Sequence, residues 1–273
     1  AWNEFIYGGH LLALGPALIA WIATRLLSMP SNFFLFLAIY IMAYIVYTYD
    51  RYRDYDSETS EIRKRHLGSY ITIIPLLMII YGLVLIIILS NNMIALLLTL
   101  LLLAVGLAYG GFLKGMTKKL LGFKSFVVAL LFPAALFVIP AYYSISISPE
   151  IFLVYTFFAL RLFANTIFCD VKDFEQDRKD QLKTFAVALS KNQFRSLLYF
   201  SHLLSAIPIV LGIFFGTLPY YSLALLLVIP YSFYYLYKQN QSGANLQTLT
   251  NVWADGEFIL WFVIITIGGV LWG

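Results

Sequence analysis

Apolar runs long enough to cross a lipid bilayer recur along almost the whole chain of 273 residues. A helix needs roughly 17–25 apolar residues to span the hydrocarbon core of a membrane. Charged residues make up only 12% of the chain, whereas soluble domains carry about 25%. We therefore predict an all-α integral membrane protein with nine transmembrane helices, at about 8–28, 33–49, 69–90, 93–112, 125–142, 150–169, 195–216, 218–237 and 256–272.

Almost every residue lies in or beside one of these runs, so we predict a single transmembrane domain over residues 1–273. The first run is not typical of a signal peptide, because Glu4 is the only charge before it and it is too long for an h-region. The single cysteine, Cys169, excludes an internal disulfide and a cysteine-based metal site. The net charge of +4 indicates a basic membrane-facing surface rather than a nucleic-acid partner.

The basic residues predict the orientation in the membrane. Apart from Arg25 and Arg161, all lysines and arginines lie in or at the edges of the loops after spans 2, 4, 6 and 8. Cytoplasmic loops of membrane proteins carry an excess of basic residues. We therefore expect these loops and the N-terminus in the cytoplasm and the C-terminus outside.

Most acidic residues fall in two clusters on that predicted cytoplasmic side, in loops 50–69 and 170–194. Each cluster contains the pattern D-x-x-x-D, as Asp50/Asp54 and as Asp173/Asp177. This spacing puts both carboxylates of a pair on one helical face. The two pairs hold equivalent places in the order of spans, which indicates two pseudo-repeated four-helix halves plus a ninth helix around a central cavity.

Two interpretations of the acidic clusters remain open. They are either solvated helix ends or ligands of a hard cation. Mg²⁺ prefers carboxylate oxygens and binds together with substrate phosphates, and a magnesium diphosphate would neutralise both clusters. The candidate metal ligands are Asp50, Asp54, Asp170, Asp173 and Asp177.

A bound diphosphate also needs cationic partners, and the basic loop 113–124 lies on the same predicted side. The segment YGGFLKGMTKKLLGFK, from Tyr109 to Lys124, holds four lysines, which could instead contact lipid headgroups. Lys114, beside the end of the span, is the best single candidate for a phosphate contact. Further candidates for substrate contact are Lys118, Lys119, Lys172, Arg178 and Arg51.

These motifs resemble the UbiA superfamily of intramembrane prenyltransferases. The stretch DVKDFEQDRKDQLKTFAVALS (170–190) is similar to the family's D-x-x-D-x-x-x-D motif with its K-T-L-P-V-type tail. DRYRD matches the last two aspartates of its N-x-x-x-D-x-x-x-D motif, and Tyr109 and Lys114 match its Y-S-x-P-L-K segment. The chain departs from the pattern at Val46, in place of the motif asparagine, and at Ala186, in place of the tail proline.

The resemblance implies Mg²⁺-dependent transfer of an isoprenyl group from a polyprenyl diphosphate to a lipophilic acceptor, through ionisation of the allylic diphosphate. It implies catalytic roles for Asp54, Asp173 and Lys114. Arg161 is a further catalytic candidate, because ionisable groups inside spans are usually functional. Arg161 and Asn165 are one helical turn apart, so both could point into the cavity. Asp255 and Glu257 are either charges at the start of the last helix, the interpretation we favour, or an extra wall of the site.

Two other functions are considered. The first is a terpene cyclase or diphosphate lyase on the same scaffold, without an external acceptor. The second is a cation transporter, for which acidic residues near the middle of the bilayer would be expected. The four motif aspartates lie instead at span ends, which disfavours transport. Nothing in the sequence selects the acceptor, the donor chain length or the oligomeric state.

Overall fold

The computed structural model describes residues 5–6, 8–53, 76–85, 92–241 and 243–272, with the side chain of Lys114 left out. This part of the chain is almost entirely helical and contains no strand. The prediction of an all-α protein is confirmed.

The main helices follow the apolar runs. They are α1 (His10–Leu26), α2 (Phe33–Arg53), α3 (Leu76–Leu85), α4 (Met93–Gly111), α5 (Phe123–Tyr143), α6 (Pro149–Cys169), α7 (Lys191–Phe214), α8 (Val228–Gln239, preceded by 3₁₀ turns over Tyr220–Leu227) and α9 (Glu257–Trp272). Short helical pieces lie between them at Leu113–Lys118, Phe174–Lys179, Phe185–Ala188 and Leu246–Ala254.

Six helical segments in the described part of the chain are long and apolar enough to cross a membrane. Two other apolar helices, α1 and α3, are shorter than this in the described residues. The six segments are α2, α4, α5, α6, α7 and Leu246–Trp272, which contains α9.

Helix α1 lies between two hydrophobic clusters. Ala17 and Ala20 pack in a cluster built mainly from α2, α3 and α4, while Ile19 and Ile22 pack in another built from α5, α6 and the C-terminal helices. Helix α1 contacts α2 on one side and α9 on the other. The N-terminal and C-terminal parts of the bundle therefore meet at α1.

Two glycines bring α4 close to α2. A Cβ atom added to Gly106 would lie 2.7 Å from Val46 Cγ2, and one added to Gly110 would lie 3.2 Å from Asp50 Oδ1. Small residues at i and i+4 allow helix backbones in membranes to approach closely. This contact places Asp50 directly against the last turn of α4.

Backbone hydrogen bonds join the loop after α4 to the loop after α6. The Gly122 N–H donates to the Lys183 carbonyl at 2.8 Å, and the Lys183 N–H donates to the Thr117 carbonyl at 2.9 Å. Gly122 has a φ of 64°, in the left-handed region, and the Phe185 ring covers it. The basic loop and the second acidic loop are therefore fixed against each other.

Candidate active site

A cavity of about 270 Å³ opens among α1, α2, α4, α5, α6 and the start of α9. Its inner wall is apolar, with residues such as Met42, Leu102, Leu131 and Phe258. Its charged residues all come from one end of the bundle: the last turn of α2, the first turn of α5, the segment after α6 and the segment before α9. They are Asp50, Arg51, Lys124, Lys172, Asp173 and Asp255.

The structure brings one aspartate of each predicted pair to this cavity. Asp50 from the first cluster and Asp173 from the second both line it, although they are far apart in the sequence. Asp54 lies outside the described residues. Asp177 lies one turn after Asp173 and is buried, with its N–H donating to the Asp173 carbonyl at 2.8 Å.

Asp177 has two features that suit a metal ligand. Its Oδ2 atom is buried and has no hydrogen-bond partner among the described residues, which is uncommon for a buried carboxylate oxygen. Burial raises the pKa of its carboxyl to about 6, and the negative charges of Asp170 and Asp173 act in the same direction while Lys124 opposes them. A nearby cation would therefore stabilise the charged form of this carboxyl.

Asp170 lies behind the cavity wall. Its side chain is fully buried, and its carboxylate accepts hydrogen bonds from Lys124 Nζ at 2.8 Å and from Ser125 Oγ at 3.4 Å. Lys124 lines the cavity, whereas Asp170 does not. The structure thus places a lysine between this aspartate and the cavity.

The predicted cationic contacts divide into two groups. Lys172 and Arg51 line the cavity; Lys172 Nζ donates to Asn251 Oδ1 at 2.7 Å, and Arg51 Nε donates to Tyr47 OH at 3.0 Å. Lys118, Lys119 and Arg178 are exposed and are not among the lining residues. The side chain of Lys114 is not among the described ones.

Tyr109 and Asn165 both line the cavity, as expected from their places on α4 and α6. Asn165 Nδ2 donates to the Ala254 carbonyl at 2.8 Å, so Asn165 also holds the segment before α9 against α6. Val46, which replaces the asparagine of the family motif, forms part of the apolar wall beside Gly106.

Arg161 does not point into this cavity, contrary to the expectation from its spacing with Asn165. Its guanidinium is fully buried and pairs with Glu257 Oε2 at 2.6 Å. It also contacts His202 Nδ1 at 2.8 Å and donates to Ser232 Oγ at 2.5 Å. Glu257 lies in the first turn of α9, as expected, but its side chain is buried in this network.

The structure adds two charged residues to the cavity that the sequence interpretation does not rank among the site residues. Lys124 is one of four lysines in the basic loop, and Asp255 takes the less favoured of its two interpretations, an extra wall of the site. Asp255 is 6% exposed and lines the cavity, where Cys169 Sγ lies 3.8 Å from its Oδ1. The sequence signal that could have placed Asp255 in the site is its position directly before a span, on the same predicted side of the membrane as the acidic clusters.

The donor set fits a magnesium ion that binds together with substrate. Among the described residues, no group of three or more His, Cys, Asp and Glu side chains could hold a metal. Mg²⁺ is usually bound through one or two carboxylates, with waters and substrate phosphates completing its shell. The Asp50 and Asp173 carboxylates on one cavity match this requirement. Asp177, one turn after Asp173, is not among the lining residues, but its buried Oδ2 has no hydrogen-bond partner among the described residues.

Comparisons with solved structures show the same fold in other proteins. The apo structure of a UbiA homologue from Aeropyrum pernix K1 is 14% identical, with a TM-score of 0.68, and the alignment covers 97% of this chain and 98% of that one. A UbiA homologue from Archaeoglobus fulgidus bound to DMAPP and Mg²⁺ is 15% identical, with a TM-score of 0.65 and coverage of 98% and 100%.

A structure of digeranylgeranylglyceryl phosphate synthase is 12% identical, with a TM-score of 0.59 and coverage of 99% and 96%. A comparison with curated protein sequences gives no match. The profile of the UbiA prenyltransferase family matches residues 11–263. With nearly the whole chain matched, the protein is an integral membrane protein that belongs to the UbiA prenyltransferase family.

Proposed function

We propose that this protein transfers an isoprenyl group from an isoprenyl diphosphate to a lipophilic acceptor in a Mg²⁺-dependent reaction. The observation that carries the proposal is that Asp50 and Asp173, from two separate D-x-x-x-D motifs, line the charged end of one otherwise apolar cavity. Structures of the Archaeoglobus fulgidus homologue with DMAPP or GPP and Mg²⁺ support this choice of donor and metal.

In the proposed binding mode, the diphosphate lies at the charged end and the isoprenyl tail lies along the apolar wall. Asp50, Asp54, Asp173 and Asp177 would hold Mg²⁺, which draws negative charge off the diphosphate. Lys172 and Arg51 would bind its oxygens, and Lys114 remains a candidate for the same role. Such cations stabilise the charge that develops on a leaving group.

The reaction then begins with loss of diphosphate from C1 of the isoprenyl group, and the bonding electron pair leaves with the oxygen. An allylic cation remains, the acceptor attacks its C1 with an electron pair, and the acceptor then loses the proton from the attacking atom. The apolar wall keeps water away from this cation. We assign Arg161 a structural role, because its charge is already satisfied by Glu257 outside the cavity.

We further propose the arrangement of nine spans, with two related four-helix halves. In this arrangement the nine spans are the six long apolar segments together with α1, α3 and α8. The charged end of the cavity then faces the cytoplasm, because the basic loops flank it. The loops after α2, α4 and α6 would lie there together with the N-terminus.

The direct test uses the purified full-length protein with labelled geranylgeranyl diphosphate, with and without Mg²⁺, over a panel of acceptors. The panel would include aromatic quinone precursors and glycerol phosphates. We expect Mg²⁺-dependent product with at least one acceptor and loss of turnover in Asp54→Ala and Asp173→Ala. Unchanged diphosphate binding and turnover in both variants would refute the proposal. A cyclic or linear hydrocarbon formed without an acceptor would indicate the cyclase or lyase reaction instead.

A further inference from the structure

We infer that Lys124 binds the diphosphate and that Asp170 positions Lys124, rather than serving as a metal ligand. This inference deepens the proposed function and rests on it. It gives the first aspartate of the D-x-x-D-x-x-x-D stretch a role different from that of Asp173. It also adds a binding residue that the motif comparison does not include.

The geometry separates the two residues. Asp170 is fully buried behind the wall, while 28% of the Lys124 side chain is exposed and lines the cavity. The ion pair of 2.8 Å uses one of the three N–H groups that an ammonium carries. Lys124 therefore faces the same cavity as Asp50 and Asp173, with donors available for an anion.

Helix electrostatics does not explain this pair. Lys124 lies in the first turn of α5, and Asp170 is the C-cap residue of α6. Helix dipoles favour anions at the N-terminus and cations at the C-terminus, so each charge lies at the unfavourable end of its helix. Removing two such charges from water is also costly. A pair placed against both dipoles beside a cavity is better explained by binding than by stability.

The charge balance indicates what the pair contributes. Because Asp170 compensates Lys124, the pair supplies directed hydrogen-bond donors without adding net positive charge to the cavity. A diphosphate at this end would therefore still require a metal ion beside Asp50 and Asp173. The ligand class is an oxyanion with several oxygens, which can contact the lysine and the metal at the same time.

The surrounding backbone fixes Lys124. Two residues before it, the Gly122 N–H donates to the Lys183 carbonyl, which joins the basic loop to the loop that follows Asp170. Ser125, the next residue, donates to the same carboxylate as Lys124. The lysine is therefore held through its own ion pair and through the backbone on its N-terminal side.

The test measures binding of geranyl diphosphate to the full-length protein in nanodiscs by isothermal titration calorimetry. The variants are Lys124→Gln, Asp170→Asn, the double variant and Asp173→Asn. Each is titrated with geranyl diphosphate at saturating Mg²⁺, and with Mg²⁺ at a geranyl diphosphate concentration that saturates every variant. Lys179→Gln and Asp180→Asn are matched controls, since both side chains are exposed outside the cavity.

We expect Lys124→Gln to weaken geranyl diphosphate binding at least tenfold and Asp170→Asn to weaken it about three- to tenfold. Neither should change the Mg²⁺ midpoint by more than about twofold, whereas Asp173→Asn should raise it strongly. The double variant should bind like Lys124→Gln alone, because the aspartate acts through the lysine. It also removes both charges of the pair, so it leaves no unpaired charge and provides a folded comparison should Asp170→Asn unfold.

Two results would overturn the inference and leave the proposed function intact. In the first, Asp170→Asn raises the Mg²⁺ midpoint as much as Asp173→Asn does, so Asp170 is a metal ligand. In the second, Lys124→Gln binds geranyl diphosphate as tightly as the wild type. If the wild-type protein itself does not bind geranyl diphosphate with Mg²⁺, the proposed function fails and this inference fails with it.

Discussion

Asp177 is the carboxylate whose protonation should control metal binding. Its pKa is raised to about 6, first by burial and then by the charges of neighbouring aspartates. In the metal-free protein it is therefore protonated below about pH 6, and a metal ligand must lose its proton. We expect the apparent Mg²⁺ affinity, measured by calorimetry between pH 5 and 8, to be nearly constant above pH 6. Below pH 6 it should decrease as the pH is lowered, with a slope that approaches about tenfold per pH unit.

Asp177→Asn is the control for this pH dependence. If Mg²⁺ is titrated in the presence of a diphosphate, the diphosphate also takes up protons, and this effect is the same for the variant and the wild type. The variant should bind Mg²⁺ more weakly at pH 8 and show a shallower dependence below pH 6. Identical pH profiles for the variant and the wild type would contradict a metal-binding role for Asp177.

The ion pair between Arg161 and Glu257 provides a second prediction at this scale. Glu257→Gln leaves the Arg161 charge buried without its carboxylate, which costs about 3–5 kcal/mol when one partner of a buried pair is removed. We expect a large fall in the thermal unfolding midpoint in detergent. Arg161→Met combined with Glu257→Gln should recover most of the loss, because neutral replacements of a buried pair are often tolerated.

The same double variant tests the role of Arg161. If Arg161 is structural, the folded double variant should keep the KM for geranylgeranyl diphosphate and most of its turnover. A stable double variant without turnover would instead assign Arg161 to catalysis.

The site residues show what sequence spacing can and cannot provide. Asp50 and Asp173 could be predicted because local motif spacing marks them. Lys124 could not, because its selection among the four lysines depends on where the next loop places Asp170. The orientation of Arg161 could not be predicted either, because it is set by Glu257, which lies 96 residues away in the chain. Helical periodicity within α6 gives no information about a partner on another helix.

Among the elements, the connection between the basic loop and the second acidic loop is sensitive to substitution at Gly122. A Cβ atom at Gly122 would lie 2.1 Å from the Phe185 ring, and the φ of 64° is strained for any other residue. We expect Gly122→Ala to destabilise the protein by about 1–3 kcal/mol and to weaken diphosphate binding, since Lys124 is two residues away. Thermal unfolding and calorimetry measure the two effects.

Two other glycines separate the causes of this loss. Gly216 also has a positive φ, 67°, but an added Cβ would meet no atom within 4 Å, and Gly115 has neither constraint. Gly216→Ala should therefore show only backbone strain, and Gly115→Ala should be close to the wild type. If Gly122→Ala is no less stable than Gly216→Ala, the packing of Phe185 does not hold the loops together.

The elements themselves were largely predictable, because a bilayer requires long apolar helices and the apolar runs mark them. Their irregular parts were not. The segment before α9 forms a π-helix over Leu249–Ala254, with Asn165 bound to the Ala254 carbonyl. Asp255 reaches the cavity from this segment. Hydropathy contains no information about such a local change of helix type.

At the scale of the whole molecule, α1 and α5 both contribute to two hydrophobic clusters, one built mainly with α2, α3 and α4 and the other with α6 and the C-terminal helices. The cavity takes Asp50 from the earlier part of the chain and Asp173 from the later part. A site assembled in this way depends on the packing of both parts of the chain.

The proposed orientation places the loop before α6 outside and the loop after α6 in the cytoplasm. The chain has one cysteine, so Cys169→Ser gives a cysteine-free background, which should remain unlabelled by a membrane-impermeant maleimide. Into it we would introduce Ser146→Cys or Lys179→Cys, both at exposed positions. On intact cells we expect labelling of the first only, and labelling of the second after permeabilisation, because the basic residues hold their loops in the cytoplasm. The reverse pattern would invert the orientation, and labelling of both on intact cells would show that α6 does not separate the two loops.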